Sequence, residues 1–480
     1  MFRWSAAWRN KVVRSVRACY NSPMNEITLP EQFIRRMKER LGDGFSAFLD
    51  SFNAPAESAF HCNPLRTDLS LITPYLASLS ARPIPGIKNG FYYSAEGIGK
   101  HSLHHAGLLY SQDPAAQLPT LCANMFPGIR ILDLCAAPGG KTSQLAIACT
   151  PYNGTIVANE PHPERNRILR QNIERMGYRN LIVTQADPEE LAPVYPEYFD
   201  LILVDAPCSG EGMFRKYPES IAQWSPENVS ACASRQERIL DAACSMLAPG
   251  GQLIYSTCTY APEEDEQQVE HLIRRHGLSP LPLPEEVTAL TSECESGSRI
   301  FYPHLGKGEG QFLASLQKPG TLPDHTEEIT APLPPAGKKL LDAASECLSA
   351  SADLSGLYLI ENRNRIIILP EGISRLPERC VTSYGVILGG PDERGKRFLP
   401  HHQFFRAYPE RFLTSADIEP DAPELAAYLN GQELRESDTL PVRHPVKGYG
   451  VLRTLSAGVG GFRYADGRLK NLYPKGLRNP

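Results

Sequence analysis

The sequence predicts an α/β protein built around a doubly wound, mostly parallel β-sheet. From Ile129 onward, short apolar strands alternate with amphipathic helices, which is the pattern of successive βαβ units. The strand predicted over 201–204 has four apolar residues in succession, as is typical of a strand buried on both faces. Asp205 and Cys208 follow this strand, at the edge where open α/β sheets bind their ligands.

The strands and helices of this central region follow one another in a regular order. A helix begins at Ser225-Pro226, because proline is favoured in a first helical turn, and it ends at Pro249. The strands are predicted over 131–134, 155–159, 181–184, 201–204 and 253–256, and the other helices over 142–148 and 163–176.

Changes in composition mark the boundaries of the flanking regions. Residues 29–52 have the apolar spacing of two short amphipathic helices, and 63–68 is predicted as a short strand carrying Arg66. A stretch rich in proline and charge indicates a linker before a final region of short strands. The predicted divisions are a basic extension (1–23), an N-terminal α+β subdomain (24–115), the central domain (116–318), a linker (319–355) and a mainly β C-terminal domain (356–480).

The N-terminal extension has five basic residues and no acidic one in its 23 residues. This composition resembles a transit peptide. A sequence typical of a globular domain begins at Met24, so a poorly ordered, untargeted extension is the favoured interpretation.

Composition excludes several classes of protein. The chain has 480 residues, a net charge of −5 and no apolar run long enough to cross a bilayer. Its 12 cysteines contain no CxxC pair, so neither a zinc site nor a disulfide framework is predicted. A cytoplasmic protein without a bound metal is therefore expected.

The C-terminal segment 443–478 is the clearest basic region of the chain. It has eight lysines and arginines and a single acid, Asp466. Tyr449, Phe462, Tyr464 and Tyr473 are interleaved with them. This pattern favours contact with phosphates and stacked bases of RNA, and the alternative is a solvated basic tail.

A glycine-rich turn, LDLCAAPGGKT (132–142), lies between the first strand and the first helix of the central region. A P-loop would need glycine at position 135, where this chain has Cys135, and no GxGxxG fingerprint is present. Gly139 and Gly140 still allow close backbone approach to a ligand, and the helix N-terminus offers N–H donors.

Three acids follow successive strands near this turn. Glu160 is placed to accept hydrogen bonds from two ribose hydroxyls, and Asp187 could accept a hydrogen bond from an exocyclic amine. Any one of these acids could instead be a helix cap or a solvent-exposed loop residue. Together with Asp205 they indicate a pocket for S-adenosylmethionine.

Two cysteines, Cys208 and Cys258, each follow a buried strand and begin a polar loop. A thiolate that adds to carbon 6 of cytosine makes carbon 5 nucleophilic, so paired cysteines suit cytosine methylation. A buried carboxyl with a raised pKa could donate a hydrogen bond to the base, and Asp205 is the candidate. The alternative for any single cysteine is a small buried hydrophobic residue.

Three motifs, LDLCAAPGGKT, LILVDAPCSGEGMFRK and LIYSTCTYAPEEDE, resemble those of the Sun family of RNA (cytosine-carbon-5)-methyltransferases. The ending GRLKNLYPKGLR is similar to the extra C-terminal domain of the RsmF-like bacterial branch, which methylates small-subunit ribosomal RNA. The resemblance implies an S-adenosylmethionine-dependent methyltransferase core, an N-terminal RNA-binding subdomain and a small PUA-like C-terminal domain.

The resemblance also implies the roles of individual residues. Cys258 becomes the nucleophile, Cys208 the residue that helps to release the product, and Asp205 a residue that contacts both the cofactor and the cytosine. The cofactor contacts that it implies are Cys135, Ala136, Ala137, Pro138, Gly139, Gly140, Lys141, Glu160, Asp187 and Asp205.

The expected substrate is ribosomal RNA or the small ribosomal subunit, and the enzyme is expected to act as a monomer. Arg66, Arg215 and Lys216 are candidates for holding RNA phosphates, together with the basic C-terminal segment. Two alternatives remain open: methylation of transfer RNA, and a non-catalytic assembly factor that binds RNA.

Overall fold

The computed structural model describes residues 28–323, 335–370 and 380–478. The predicted extension 1–23 lies outside these residues, as does the part of the predicted linker over 324–334. No helix in the described ranges is both long enough and apolar enough to span a bilayer.

The N-terminal region combines four short helices with a small antiparallel sheet. Phe33 and Phe48 on its first two helices are fully buried and contact aromatic rings of the central domain. The sheet has the order β2-β3-β1-β4. Its elements are α1 (Glu31–Leu41), α2 (Phe45–Ser51), β1 (Ser58–Cys62), α3 (Leu69–Leu76), β2 (Arg82–Pro83), β3 (Gly90–Tyr93), α4 (Ser102–His105) and β4 (Leu109–Ser111).

The prediction of a strand over 63–68 is wrong. The nearest strand is β1, which ends at Cys62, and residues 64–66 form a turn immediately after it. Asn63 Oδ1 accepts a hydrogen bond from the backbone N–H of Leu65 at 3.2 Å, and Pro64 has no N–H to offer a neighbouring strand. Arg66 therefore projects from a turn.

The central domain has the predicted doubly wound sheet. Five parallel strands have the order β9-β8-β5-β6-β7, and antiparallel strands extend the sheet at both edges. The elements are β5 (Arg130–Asp133), α5 (Gly140–Cys149), β6 (Thr155–Asn159), α6 (Pro163–Met176), β7 (Leu181–Thr184), α7 (Pro188–Leu191), β8 (Phe199–Asp205), α8 (Pro226–Met246), β9 (Leu247–Thr257), α9 (Glu266–His276), β10 (Ser279–Pro280), α10 (Glu285–Thr288), β11 (Ser292–Glu293), β12 (Arg299–Phe301) and β13 (Gln311–Gln317).

The strand order creates a switch point at β5. The chain passes from β5 outward through β6 and β7, and then returns to the other side of β5 to form β8 and β9. Connections leave the sheet in opposite directions at this point, so a crevice opens at the carboxyl ends of β5 and β8. Leu201, Ile202, Leu203 and Val204 of β8 are fully buried, as their unbroken apolar run predicts.

The C-terminal region is mainly β, as predicted, and has two sheets. Their orders are β14-β15-β17-β18 and β20-β24-β23-β22-β19-β21, whereas β16 pairs with β7 of the central sheet. The elements are α11 (Lys338–Leu348), β14 (Leu359–Asn362), β15 (Arg365–Ile368), β16 (Val381–Ser383), β17 (Val386–Pro391), β18 (Phe398–Pro400), α12 (His402–Ala407), β19 (Ser415–Asp417), α13 (Pro423–Leu429), β20 (Leu434–Arg435), β21 (Val442–Arg443), β22 (Gly448–Thr454), β23 (Ala457–Ala465) and β24 (Arg468–Asn471).

Buried arginines join the three regions. Arg406 on α12 is 1% exposed and donates to the carbonyl oxygen of Val459 at 2.9 Å and to that of Arg175, near the end of α6. Arg66 donates to the carbonyl oxygens of Arg406 and Gly458, both at 2.6 Å. The cationic groups suit this position because helix carbonyls at a C-terminus carry partial negative charge.

We expect Arg406→Ala to lower the free energy of unfolding by about 2–4 kcal/mol, because buried carbonyl groups lose their donor and a cavity is left. Urea unfolding of the whole chain measures this. Arg179→Ala is the control, since its half-exposed side chain also contacts α12, at the carbonyl of Ala407; we expect it to cost less than about 1 kcal/mol. Equal losses for both variants would contradict the role of the buried arginine.

Candidate active site

The two predicted cysteines lie side by side. Cys208 follows β8 and Cys258 follows β9, and these neighbouring parallel strands pair Asp205 with Ser256 at their ends. The sulfur atoms are 3.2 Å apart, and both cysteines are half-buried and free. Adjacent strand order in the sheet therefore brings together two thiols that are fifty residues apart in the chain.

The electrostatics distinguish the two thiols. The hydrogen bond with Cys258 raises the pKa of Cys208 well above that of an ordinary thiol, and burial and nearby negative charge raise it further. The raised pKa keeps the Cys208 thiol protonated, so its S–H can donate a hydrogen bond to the Cys258 sulfur. A protonated thiol is a poor nucleophile, because the thiolate is the reactive form of cysteine.

Asp205 does not have the environment that the sequence analysis gave it. Its Oδ2 lies 2.9 Å from Lys141 Nζ, and its Oδ1 accepts a hydrogen bond from Ser256 Oγ at 2.7 Å. Both oxygens are thus engaged, and the side chain is one-third exposed. The expectation that Asp205 is buried is wrong, and its contacts with the cofactor and the cytosine stay predictions.

Sequence reasoning missed several carboxyl groups whose pKa is raised, among them Asp133, Glu211 and Glu264. Burial raises the pKa of Asp133 to about 7 and that of Glu264 to about 7, and it also raises the pKa of Glu211. Glu211 and Glu264 come from the same motifs as the two cysteines, which was the available signal. Their burial could not be anticipated, because acidic residues in polar loops are usually solvated.

The glycine-rich turn connects β5 to α5 and forms one wall of the crevice. Gly139 has φ of 111°, a conformation that disfavours other residues, and its position before α5 leaves the first-turn N–H groups without a side-chain cap. Lys141 is buried in the first turn. Uncapped N–H donors at a helix N-terminus form a binding site for an anionic group such as a carboxylate.

The remaining two acids of the predicted pocket differ in burial. Glu160 is 2% exposed, accepts the backbone N–H of His162 at 2.9 Å and lies 3.3 Å from Arg165. Asp187 is exposed and caps α7 in a reciprocal arrangement with Glu190. Its role as a helix cap is thus established by geometry, and its contact with the cofactor stays a prediction.

These residues fit S-adenosylmethionine. The uncapped start of α5 suits the methionine carboxylate, and the buried carboxylate of Glu160 suits hydroxyl donors. Asp133 Oδ1 adds a buried oxygen without a hydrogen-bond partner in the same turn. The crevice thus offers donors and acceptors of the types that the ligand requires.

Two candidate phosphate contacts have other partners. Arg215 is 9% exposed and pairs with the buried Glu309 at 2.9 Å. Arg66 is held by backbone carbonyl groups at the domain junction, as described above. Prediction of phosphate binding by these two residues is wrong, because both guanidinium groups are used inside the fold; the prediction for Lys216 remains.

The basic C-terminal segment combines buried aromatic residues with exposed cations. Phe462, Tyr464 and Tyr473 are less than 9% exposed and belong to the core of the domain, so the prediction that they stack on bases is wrong. Half-buried Tyr449 pairs across strands with the exposed Arg463, which in turn pairs with Lys470. This row of three is the part of the segment that remains suited to RNA.

One group of possible metal ligands occurs among the described residues, although the sequence predicts no metal site. His271 Nε2 and His276 Nε2 lie 2.8 and 2.6 Å from Asp241 Oδ1. Arg275 Nε lies 3.4 Å from the same oxygen. The carboxylate of Asp241 is thus shared by three nitrogen-containing side chains of α9. None of these residues belongs to the segments that follow β8 and β9 and carry Cys208 and Cys258.

Comparisons with known sequences cover most of the chain. Residues 123–317 match the family of 16S rRNA methyltransferase RsmB/F, 29–114 match the N-terminal domain of 16S rRNA methyltransferase RsmF, and 415–479 match the methyltransferase RsmF PUA domain. Ribosomal RNA small subunit methyltransferase F of Erwinia tasmaniensis is 32% identical over 95% of this chain and 98% of its own length. The Klebsiella pneumoniae protein of the same name is 30% identical over 94% of this chain and 97% of its own length.

Solved structures agree at the level of the fold. A methyltransferase homologue from Pyrococcus horikoshii is 27% identical, with a TM-score of 0.52 over 61% of this chain and 96% of its own. NSun6 from the same organism is 20% identical and has a TM-score of 0.54. The match covers 61% of this chain and 99% of NSun6.

These findings confirm the predicted family, the methyltransferase core, the PUA domain and S-adenosylmethionine as the methyl donor. The relatives match along nearly their whole length, so the agreement includes the flanking domains as well as the core. The chain belongs to the 16S rRNA methyltransferases of the RsmB/F family, in the branch named ribosomal RNA small subunit methyltransferase F.

Proposed function

We propose that this methyltransferase modifies carbon 5 of a cytosine in 16S ribosomal RNA through a covalent bond between Cys258 and the base. The observation that carries the proposal is the 3.2 Å contact between Cys208 and Cys258 at the carboxyl ends of β8 and β9. Carbon 5 of cytosine is a poor nucleophile, so a methyl group cannot be transferred to it without prior activation of the ring.

Cys258 supplies that activation. Its thiolate adds to carbon 6, and the ring electrons move so that carbon 5 becomes nucleophilic. S-adenosylmethionine, when bound, supplies an electrophilic methyl group on a positively charged sulfur. We assign to Asp205, held by Lys141 and Ser256, the role of accepting an N–H of the cytosine and so orienting the base.

Cys208 acts after methyl transfer. The hydrogen bond with Cys258 is the largest cause of its raised pKa in the free enzyme. Once Cys258 is bonded to carbon 6, its sulfur is a thioether and a weaker hydrogen-bond acceptor, so Cys208 becomes easier to deprotonate. We assign to Cys208 the removal of the carbon 5 proton, which expels Cys258 by β-elimination and restores the ring.

The direct test uses the purified full-length protein with S-adenosylmethionine and three RNA substrates: naked 16S rRNA, assembled small subunits and transfer RNA. Bisulfite sequencing is expected to show one protected cytosine in ribosomal RNA. A protected cytosine found only in transfer RNA would mean that transfer RNA, and not ribosomal RNA, is the substrate. Mass spectrometry of the nucleosides identifies the methylated atom. A methylated nucleoside without any 5-methylcytosine would refute methylation at carbon 5. A cytoplasmic location and a monomeric state remain predictions.

We expect Glu160→Ala to weaken the binding of S-adenosylmethionine by about 10- to 100-fold, because the pocket loses a buried acceptor for hydroxyl groups. Isothermal titration calorimetry without RNA measures the dissociation constant. Glu164→Ala is the matched control, since that carboxylate lies nearby in the first turn of α6 and is exposed. An unchanged constant in Glu160→Ala would remove Glu160 from the pocket.

A further inference from the structure

Two buried glutamates connect the loops that carry the cysteines. The first cysteine loop (residues 206–214) follows β8, and the second cysteine loop (residues 258–265) follows β9. Glu264 of the second loop accepts the backbone N–H of Ser209, next to Cys208, at 2.9 Å. Glu211 of the first loop accepts the backbone N–H of Tyr260, two residues beyond Cys258, at 3.0 Å. Each loop therefore holds the backbone of the other through a carboxylate.

Further contacts make the two loops one hydrogen-bonded unit. Ser209 Oγ lies 2.8 Å from Thr259 Oγ1, and the N–H of Gly212 donates to the carbonyl oxygen of Cys258 at 2.9 Å. Gln236 on α8 donates both to Glu264 at 2.9 Å and to the carbonyl of Pro207 at 3.1 Å, so both sides of Cys208 are fixed. Trp224 Nε1 completes the set by donating to the other oxygen of Glu211 at 2.8 Å.

The burial of these acids is costly. Glu211 is 1% exposed and Glu264 is fully buried, and within the described ranges neither forms an ion pair. Glu264 Oε1 has no hydrogen-bond partner. Two carboxyl groups kept in the interior without an ion pair destabilise the fold relative to apolar residues, so stability does not account for them.

We propose that Glu211 and Glu264 are positioning residues that together set the separation and alignment of the Cys208 and Cys258 sulfur atoms. The proposal rests on the proposed function for its consequence, since covalent catalysis depends on the placement of the attacking atom. A displacement of about 1 Å at a reacting group lowers a rate by about 100-fold.

Charge adds a pH dependence to this arrangement. A carboxylate accepts hydrogen bonds more strongly than a carboxylic acid, and burial raises the pKa of Glu264 to about 7. The loop contacts are therefore strongest above pH 7 and weaken as the pH falls through this value. The titratable and charged groups that face Glu264 are Cys208, Glu211, Arg36, Cys232, Tyr255 and Asp265.

The first arm of the test measures methylation. Glu264→Ala leaves the Ser209 N–H and the Gln236 amide without an acceptor, so kcat is expected to fall by about 10- to 100-fold with KM changed less than about threefold. Glu264→Gln keeps an oxygen at the same place and is expected to retain kcat within about threefold at pH 8. The kcat of the native protein is expected to decline below pH 7, and the kcat of Glu264→Gln is expected to lack this decline. The control is Glu263→Gln, whose carboxylate pairs with Arg36 instead.

The second arm measures the sulfur pair without RNA or cofactor. Phenylarsine oxide bonds stably only to two adjacent thiols, and peptide mass spectrometry of the full-length protein reports whether Cys208 and Cys258 are bridged. Bridging is expected in the native protein and in Glu264→Gln, and its loss is expected in Glu264→Ala and Glu211→Ala. If Glu264→Ala does not fold, Glu264→Asp applies the same test, because the shortened side chain withdraws the carboxylate from Ser209.

The outcomes separate the two proposals. A native kcat and native bridging in folded Glu264→Ala and Glu211→Ala variants would overturn the positioning role. Lost bridging in these variants, together with an absence of cytosine methylation by the native protein, would support the positioning role and refute the proposed function.

Discussion

Replacement of Cys258 by alanine is expected to abolish methylation, with a loss of at least about 10⁴-fold in kcat. The reason is that the proposed addition to carbon 6 loses its nucleophile, and without that addition carbon 5 does not attack a methyl donor. Cys208 cannot substitute, because its hydrogen bond and burial keep the thiol protonated. Transfer of tritiated methyl groups to 16S rRNA measures the loss.

The control for this variant is Cys232→Ala. Cys232 is a buried thiol of α8 whose replacement changes packing but removes no reacting atom. It is expected to keep kcat within about threefold. Binding of S-adenosylmethionine should be unchanged in Cys258→Ala, so a loss of cofactor affinity equal to the loss of activity would point to a damaged pocket instead of a missing nucleophile.

Replacement of Cys208 by alanine is expected to trap the protein on its substrate. Addition of Cys258 and methyl transfer can still occur, whereas the group assigned to remove the carbon 5 proton is missing. The bond between Cys258 and carbon 6 then persists, and product release slows by at least about 100-fold. A denaturing gel is expected to show RNA of reduced mobility that returns to its normal position after protease treatment.

The trapped species has its own control. The double variant Cys208→Ala/Cys258→Ala should show no adduct, because the bond-forming sulfur is absent. An adduct in Cys258→Ala, with methylation abolished in Cys208→Ala, would exchange the roles of the two cysteines. Rapid turnover in Cys208→Ala would assign proton removal to a different group, of which Glu264, with a pKa raised to about 7, is the first to examine.

The two cysteines illustrate how far the sequence reaches. Apolar runs identified β8 and β9, and residues directly after parallel strands must lie at one edge of the sheet. The alternation of strands and helices along the chain follows from the same local patterns, whereas the switch point at β5 was found only in the folded sheet. Cys208, Cys258, Asp205 and Glu160 could therefore be assigned to one crevice without coordinates, because strand ends fix their positions to within a few residues.

Patterns local to the chain were sufficient to identify the family, the doubly wound core and the strand ends at which Cys208 and Cys258 lie. The burial of charged and aromatic side chains, and the distant partners of these side chains, followed only from the folded arrangement. Lys141 reaches Asp205, Arg66 joins the domain junction, and Glu264 holds the Cys208 loop. Such pairings depend on contacts between residues far apart in the chain, and local hydrophobic periodicity carries no information about them.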